Sequence, residues 1–410
     1  MVAAPRNIVV IGGGQAGGWT ARTLRDEGFD GSVVLIGAER HPPHERPPLS
    51  KAVLLGEKPP EITHLFPGNS YDQLAIELRL GNLVTSIDAR AKNVRLDDGE
   101  IVPFDLLMLA MGGRPRELPV PGTSLAGVHM LRTIDDSLAL GKDLKSGCSV
   151  LVVGGGWIGL EVAAAARKKN CQVTVIEALD RLCARGVAPD VSEYLLTLHR
   201  GHGVDVRLNI GLASLEGVNH LTRAVLSDGS TLQCDVAVIG IGMVPNVELA
   251  KAAGLAVDNG IVVDGLGCTS HPDIYAAGDL ANRPSARLGR RVRLESWENA
   301  QNQAITAAKA MLGKTDQTYD DVPWFWSDQY GVNLQLLGLA QSWEQRVTRG
   351  RTDKLPYVAF YLTRDQIEGA LGLNAGRDMR FVRRLMTLGK QVGAGQLGDP
   401  AVKLQDLARP

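Results

Sequence analysis

The chain has 410 residues, 44% of them hydrophobic and 22% charged, with a formal net charge of -1. That is room for two or three domains with cores of their own, and so even a charge balance offers no footing for nucleic acid. No run reaches the roughly 18 to 20 uninterrupted apolar residues of a membrane span, and "MVAAPRNIVV" leads at once into a strand, so a cytoplasmic protein is expected.

The first element, "NIVVIGGGQAG" (residues 7–17), is an apolar run ending in G-x-G-x-x-G at Gly12, Gly14 and Gly17, with Gln15 and Ala16 opening a helix behind it. In such a strand-turn-helix context, backbone N–H groups and a helix N-terminus can approach a pyrophosphate. "GWTARTLRDEG" predicts a helix closed by Gly28, and "GSVVLIGAE" predicts the next parallel strand, with Glu39 as the acid at its end. "HPPHERPPLSK" is too rich in proline for a helix or central strand and predicts a shaped loop. Residues 83–113 predict short alternating strands around a D-D-G turn, then a buried strand whose Gly112 and Gly113 admit a ligand.

The pattern then repeats at the scale of a domain. "SVLVVGGGWIGLEVAAAARKKNCQVTVIEA" again predicts strand, glycine turn, helix and strand, with Gly154, Gly156 and Gly159 enclosing Trp157 and Ile158. Glu177 ends its second strand, where a carboxylate accepts hydrogen bonds from both hydroxyls of an adenosine ribose and repels a 2′-phosphate. Ala178, Leu179 and Asp180 follow it, so NADH is favoured, although Arg181 and Arg185 lie near enough to keep NADPH in question. Residues 206–242 repeat the small strands, the D-G turn and the buried strand, ending at Gly242. Two copies predict two dinucleotides. "CTSHPDIYAAGDLA" adds a strand running into Gly278 and Asp279, and "WENAQNQAITAAKAML" predicts a helix. From about Asp321 an aromatic, alternating sequence with a basic terminal helix predicts a separate α+β domain. The five cysteines are odd in number and far apart, which offers neither a disulfide framework nor a C-x-x-C site, and no metal site is expected.

The ordered set "RPPLSK", "AMGGRPR", "GGGWIGLE", "AAGD", "WENAQNQ" and "PWFWSDQ" resembles the FAD-dependent NADH:ferredoxin reductases, the family typified by putidaredoxin reductase. These serve aromatic-ring dioxygenases and bacterial cytochromes P450. The resemblance runs over nearly the whole chain and implies an α/β, glutathione-reductase-like fold. Its expected parts are an FAD domain (1–113 and 246–320), an NADH domain (114–245) and a C-terminal α+β domain (321–410). The resemblance further implies that Lys51 and Glu161 meet beside the flavin, where a cation stabilises the reduced ring and the carboxylate holds that cation. It gives Asp279 the FAD ribityl chain and Trp297 the start of a helix aimed at the flavin, and it places Arg46, Val84 and Arg132 on the FAD. Trp324 and Trp326 match aromatics near the flavin or the acceptor face.

Residues 40–60 contain no cysteine, whereas disulfide reductases of this fold need one there. Electrons are therefore expected to leave for an external acceptor, which the resemblance makes a [2Fe-2S] ferredoxin. Arg290, within "RLGRRVR", and Arg380 and Arg384, which share a helix face with Arg377, are candidates for docking it; a plain solvated face is the alternative. Two rival readings stand beside the reductase: an NADH oxidase or quinone reductase, and an NADH-sensing protein of the apoptosis-inducing-factor kind. Relatives include monomers and homodimers.

Overall fold

The computed structural model describes residues 5–340 and 342–409. Residues 1–4, read as leading into the first strand, lie outside the described residues. The chain divides into two compact units. The first comprises the chain up to Pro48, Pro59–Arg114 and Met243–Asp320; the second comprises Leu49–Lys58, Pro115–Gly242 and the chain from Asp321 onward.

The first unit is organised on a five-stranded parallel sheet, in the order Ile274–Ala276, Leu106–Leu109, Asn7–Ile11, Ser32–Gly37 and Ile76–Leu80. Its central strands are apolar on both faces because both are covered, one by the helices Gln15–Asp26 and Trp297–Met311 and the other by Val84, Val94, Leu96 and Val102 of a small antiparallel sheet. Ile8 and Val10 join one buried cluster and Val9 and Ile11 another. The predicted helix spans Gln15–Asp26, and Gly28 follows it in the left-handed region at φ +77°. A three-stranded antiparallel sheet, Val84–Asp88, Asn93–Leu96 and Ile101–Pro103, sits between two strands of the parallel sheet in sequence.

The second unit repeats this plan. Its parallel sheet runs Asp205–Arg207, Gln172–Ile176, Ser149–Val153, Val236–Ile239 and Val128–His129, and its small antiparallel sheet is Leu212–Gly217, Leu221–Leu226 and Thr231–Gln233. The same unit contains a five-stranded antiparallel sheet, ordered Trp324–Gln329, Val332–Gly338, Gln366–Leu373, Lys354–Thr363 and Gln345–Arg351. The amphipathic helix Gly376–Thr387 covers one face through Met379, Val382, Leu385 and Met386. The other face joins the core of the parallel-sheet portion through Leu334, Tyr357, Tyr361 and Leu371. The late basic helix is not the last element, since short helices follow at Ala394–Gly398 and Leu404–Leu407.

Two sequence expectations are corrected. Gly113 makes room for backbone: a Cβ there would lie 2.6 Å from the Val244 carbonyl oxygen, so the strand Met243–Pro245 occupies the space expected for a ligand. The cysteines are not all far apart either. Cys148 and Cys171 precede paired strands, and register brings their sulfurs to 3.4 Å as free thiols. No helix among the described residues is long and apolar enough to cross a membrane.

Candidate functional site

Both glycine turns are built alike. Gly12 and Gly154 take φ of +118° and +107°, and a Cβ on either would strike the backbone oxygen of the neighbouring strand's end, at 2.3 Å from Ala110 and 2.5 Å from Gly240. Gly17 and Gly159 allow each helix to lie against its own turn, since a Cβ would fall 1.8 Å from the Gly12 oxygen and 2.2 Å from the Gly154 oxygen. The middle glycines differ in kind. Gly14 has nothing within 4 Å of a Cβ position and Gly156 only the Gly240 oxygen at 3.8 Å, so these faces are open. Each serves as an N-cap without a side chain to bond the helix N–H groups. Uncapped N–H groups beside an open glycine suit a pyrophosphate, and the residues present thus fit a dinucleotide twice.

In the first unit, Gly278 packs against the start of the first helix: a Cβ there would meet the Ala16 Cβ at 3.1 Å. Gln15 donates to Gln301 on the helix Trp297–Met311 at 3.1 Å. The turn thereby converges with Gly278–Asp279 and the Trp297 helix, Gln15 and Gln301 lying 286 residues apart in the chain. At the start of that helix Ser296 Oγ accepts the Asn299 N–H, and the Trp297 indole donates to Glu45 at 2.6 Å.

Glu39 takes a hydrogen bond from Arg46 at 2.7 Å and lies 3.5 Å from His44 Nε2. Burial pushes its carboxyl up, but His44 and Arg46 outweigh burial and hold it down at about 2. One buried acceptor here, Gln15 Oε1, has no hydrogen-bond partner among the described residues, which suits a hydroxyl of an incoming ligand. Glu39 is not the register equivalent of Glu177. Gly12 N–H bonds the Ile36 carbonyl as Gly154 N–H bonds that of Ile176, so Gly37 stands in the Glu177 position and Glu39 two residues beyond. The Val84 side chain lies in the apolar core with Val94, Leu96 and Phe104.

In the second unit, both Glu177 oxygens are held by backbone, from Gly155 N–H at 2.7 Å and Leu179 N–H at 2.8 Å. The carboxylate is thus fixed beside the glycine turn. Arg181 turns inward and donates to Val187, Ala184 and Ser192, while the exposed Arg185 donates to the Ile241 carbonyl and its guanidinium covers Gly242. Arg132 precedes the capping box of the helix Ile134–Asp143, its N–H bonded to Asp136. Trp157 packs on Phe325 at 4.8 Å between ring centroids, and Ile158 is exposed.

Lys51 and Glu161 meet. The ammonium lies 2.7 Å from Glu161 Oε2, with the carboxylate side chain 4% exposed and the lysine 22%. Two residues that the sequence reading passed over complete the grip: Ser50 bonds the same oxygen, and Ser327 donates to Oε1 at 2.6 Å. Both stand inside quoted motifs. A serine at an inward position of an alternating strand, as in "PWFWSDQ", is the signal that could have found Ser327. On the opposite face of that strand, Trp324 and Trp326 stack with centroids 4.8 Å apart and planes 17° apart.

Arg377, Arg380 and Arg384 all lie on the exposed side of their helix. Arg290 is exposed as well, but Arg291 turns back to the Val263 and Asn282 carbonyls and Arg293 to Glu295, so "RLGRRVR" is not one cationic patch. No group of three or more metal-ligating side chains is assembled among the described residues.

Comparison with known proteins gives one consistent result. The family described as pyridine nucleotide-disulphide oxidoreductase matches residues 6–304, and that described as reductase C-terminal matches residues 324–408. The chain is 42% identical over 400 residues to the ferredoxin–NAD(+) reductase component of the anthranilate 1,2-dioxygenase system of Burkholderia cepacia, covering 97% of this chain and 98% of that protein. It is 37% identical over 407 residues to putidaredoxin reductase of Pseudomonas putida, covering 98% and 96%. The crystal structure of a covalent putidaredoxin reductase–putidaredoxin complex superposes with a TM-score of 0.95 at 37% identity, over 99% of this chain and 98% of that one.

Proposed function

We propose that this chain, which belongs to the pyridine nucleotide-disulphide oxidoreductase family and carries a reductase C-terminal domain, is an FAD-dependent NADH:ferredoxin oxidoreductase. The observation that carries the reading is the pair of open glycine turns, one in each unit, each facing an uncapped helix. FAD is assigned to the segments 1–113 and 246–320, NADH to 114–245, and the acceptor side to the C-terminal domain from 321 onward. When bound, FAD supplies the chemistry of accepting a hydride and releasing single electrons.

The protein's own groups bind and orient. On this reading Gly12, Gly14 and Gly17 receive the FAD pyrophosphate, with Glu39, Arg46, Asp279, Val84, Arg132 and the helix at Trp297 as further contacts. Glu177 reads the ribose hydroxyls of NADH. The inward turn of Arg181 supports that preference, because its guanidinium is already committed to three acceptors of the chain. Lys51 places a cation by the flavin, and Glu161 with its serines fixes where that cation stands. The partner is a [2Fe-2S] ferredoxin of a dioxygenase or cytochrome P450 system, in a cytoplasmic setting. The stacked Trp324 and Trp326 and the exposed Arg380 and Arg384 support a docking face for it on the second unit, and the exposed Arg290 is a separate candidate contact on the first.

The test is NADH-driven cytochrome c reduction with and without an added [2Fe-2S] ferredoxin. The expected result is a rate that depends on ferredoxin concentration. NADH oxidation just as fast with oxygen or quinone alone would favour an oxidase or quinone reductase instead. Slow oxidation with an NADH-dependent change of oligomer size would favour a sensor.

A further inference from the structure

A line of buried polar groups leads away from Glu161 that neither glycine turn uses. Ser327 Oγ lies 2.6 Å from Glu161 Oε1, Gln329 Nε2 lies 3.0 Å from Ser327 Oγ, and Gln329 Oε1 lies 2.7 Å from His199 Nε2. The Tyr330 hydroxyl is 3.2 Å from His199 Nδ1. Strand periodicity explains the alignment. Phe325, Ser327 and Gln329 alternate onto one face of the strand Trp324–Gln329, where they meet Trp157, Glu161 and His199 in turn. Ser327 and His199 are fully buried and Gln329 is 4% exposed.

Counting donors fixes every proton in this line. Lys51, Ser50 and Ser327 all present donors to the carboxylate, so the single proton of Ser327 points at Glu161. The Ser327 oxygen must then accept from the Gln329 amide, which turns the Gln329 carbonyl to His199. A carbonyl only accepts, so Nε2 of His199 carries the ring proton and Nδ1 accepts from Tyr330. Burial keeps the imidazole neutral, holding it down at about 4. Every hydrogen bond points toward Glu161, so each polarises the next in the same sense.

We propose that Ser327, Gln329, His199 and Tyr330 form a proton-ordered positioning relay for Glu161, in which the charge on Glu161 decides which nitrogen of His199 is protonated. For its bearing on turnover this rests on the reading of Lys51 and Glu161 as the pair beside the flavin. Glu161→Gln reverses the order. The carbonyl of the substituted amide stays with Lys51 and Ser50, and its NH2 donates to Ser327. Ser327 then donates to the carbonyl of a flipped Gln329, whose NH2 faces His199 Nε2. The His199 proton moves to Nδ1 and is donated to Tyr330.

The experiment is nitrogen NMR of the holoenzyme with 15N-labelled histidine, the His199 signals being identified by their loss in His199→Gln. The expected result is an Nε2–H tautomer in the unmodified protein and an Nδ1–H tautomer in Glu161→Gln. Ser327→Ala cuts the line, and adding Glu161→Gln to it should leave the tautomer unchanged. The same tautomer with and without Glu161→Gln, or inversion that persists through Ser327→Ala, would overturn the relay. NADH-to-ferricyanide turnover, measured alongside, separates the two ideas. Inversion with unchanged turnover upholds the relay and removes Glu161 from the flavin, whereas no inversion with lowered turnover removes the relay and leaves the pair.

Discussion

His199 gives the protein a measurable acid sensitivity. Its imidazole is buried, and burial lowers its pKa from the ordinary 6.5 to about 4 in the folded state. The unfolded chain therefore binds a proton that the folded chain refuses between those two values. Stability from this residue is complete above the ordinary pKa and drains as pH falls toward about 4. At 1.36 kcal/mol per unit, the full difference corresponds to about 3 kcal/mol, of which about 2 kcal/mol is gone by roughly pH 5. The assay is equilibrium urea unfolding at about pH 8 and pH 5, followed by tryptophan fluorescence and run in parallel on His199→Gln. The variant does not titrate at this position. His64, which burial also lowers, titrates in both proteins and cancels, and Glu39 loses its contribution only in stronger acid. The unmodified protein should be the more stable at pH 8, and its margin over the variant should shrink by about 2 kcal/mol at pH 5. A margin that stays constant between the two pH values would refute the assignment of a neutral, buried His199.

The two glycines of the first turn should separate folding from binding. Gly17→Ala puts a methyl into the Gly12 oxygen and should cost about 2 to 4 kcal/mol, read as a lower Tm and lost FAD; Gly14→Ala meets nothing, so it should keep its apo Tm while lowering FAD content. Equal effects of the two would count against the cradle. Glu177→Ala should narrow the NADH over NADPH preference by about 1 to 3 kcal/mol in kcat/KM, mainly through NADH, and equal use of both nucleotides by the unmodified protein would remove the assignment. Charge reversal of Arg380 and Arg384 should weaken ferredoxin-dependent cytochrome c reduction, and its salt dependence, without changing ferricyanide reduction; if both reactions fall together, the helix is a solvated face.

Elements with local signals were legible before any fold was in view. The run Asn7–Ile11 and its copy Ser149–Val153, each meeting G-x-G-x-x-G, could form only a buried strand ending at a tight turn, because no other residue tolerates the backbone approach at Gly12, Gly17, Gly154 and Gly159. The wide face of the late basic helix was equally legible, since helical periodicity is read directly from spacing. The pairing of Lys51 with Glu161 came from family resemblance, as nothing local links residues 110 positions apart.

Long-range partners, by contrast, fall where strand register and packing bring them. Register put Gly37, not Glu39, opposite the role of Glu177 and brought Cys148 beside Cys171. Chain packing filled the space at Gly113 with the strand Met243–Pro245, and it turned Arg181 inward while Arg380 stayed out. The line from Glu161 through Ser327 and Gln329 to His199 joins a helix start, an edge strand and a helix end. Each of those side chains is an ordinary polar residue in its own segment. Only burial, which removes water as an alternative partner, forces them to satisfy one another and thereby fixes the direction of every proton.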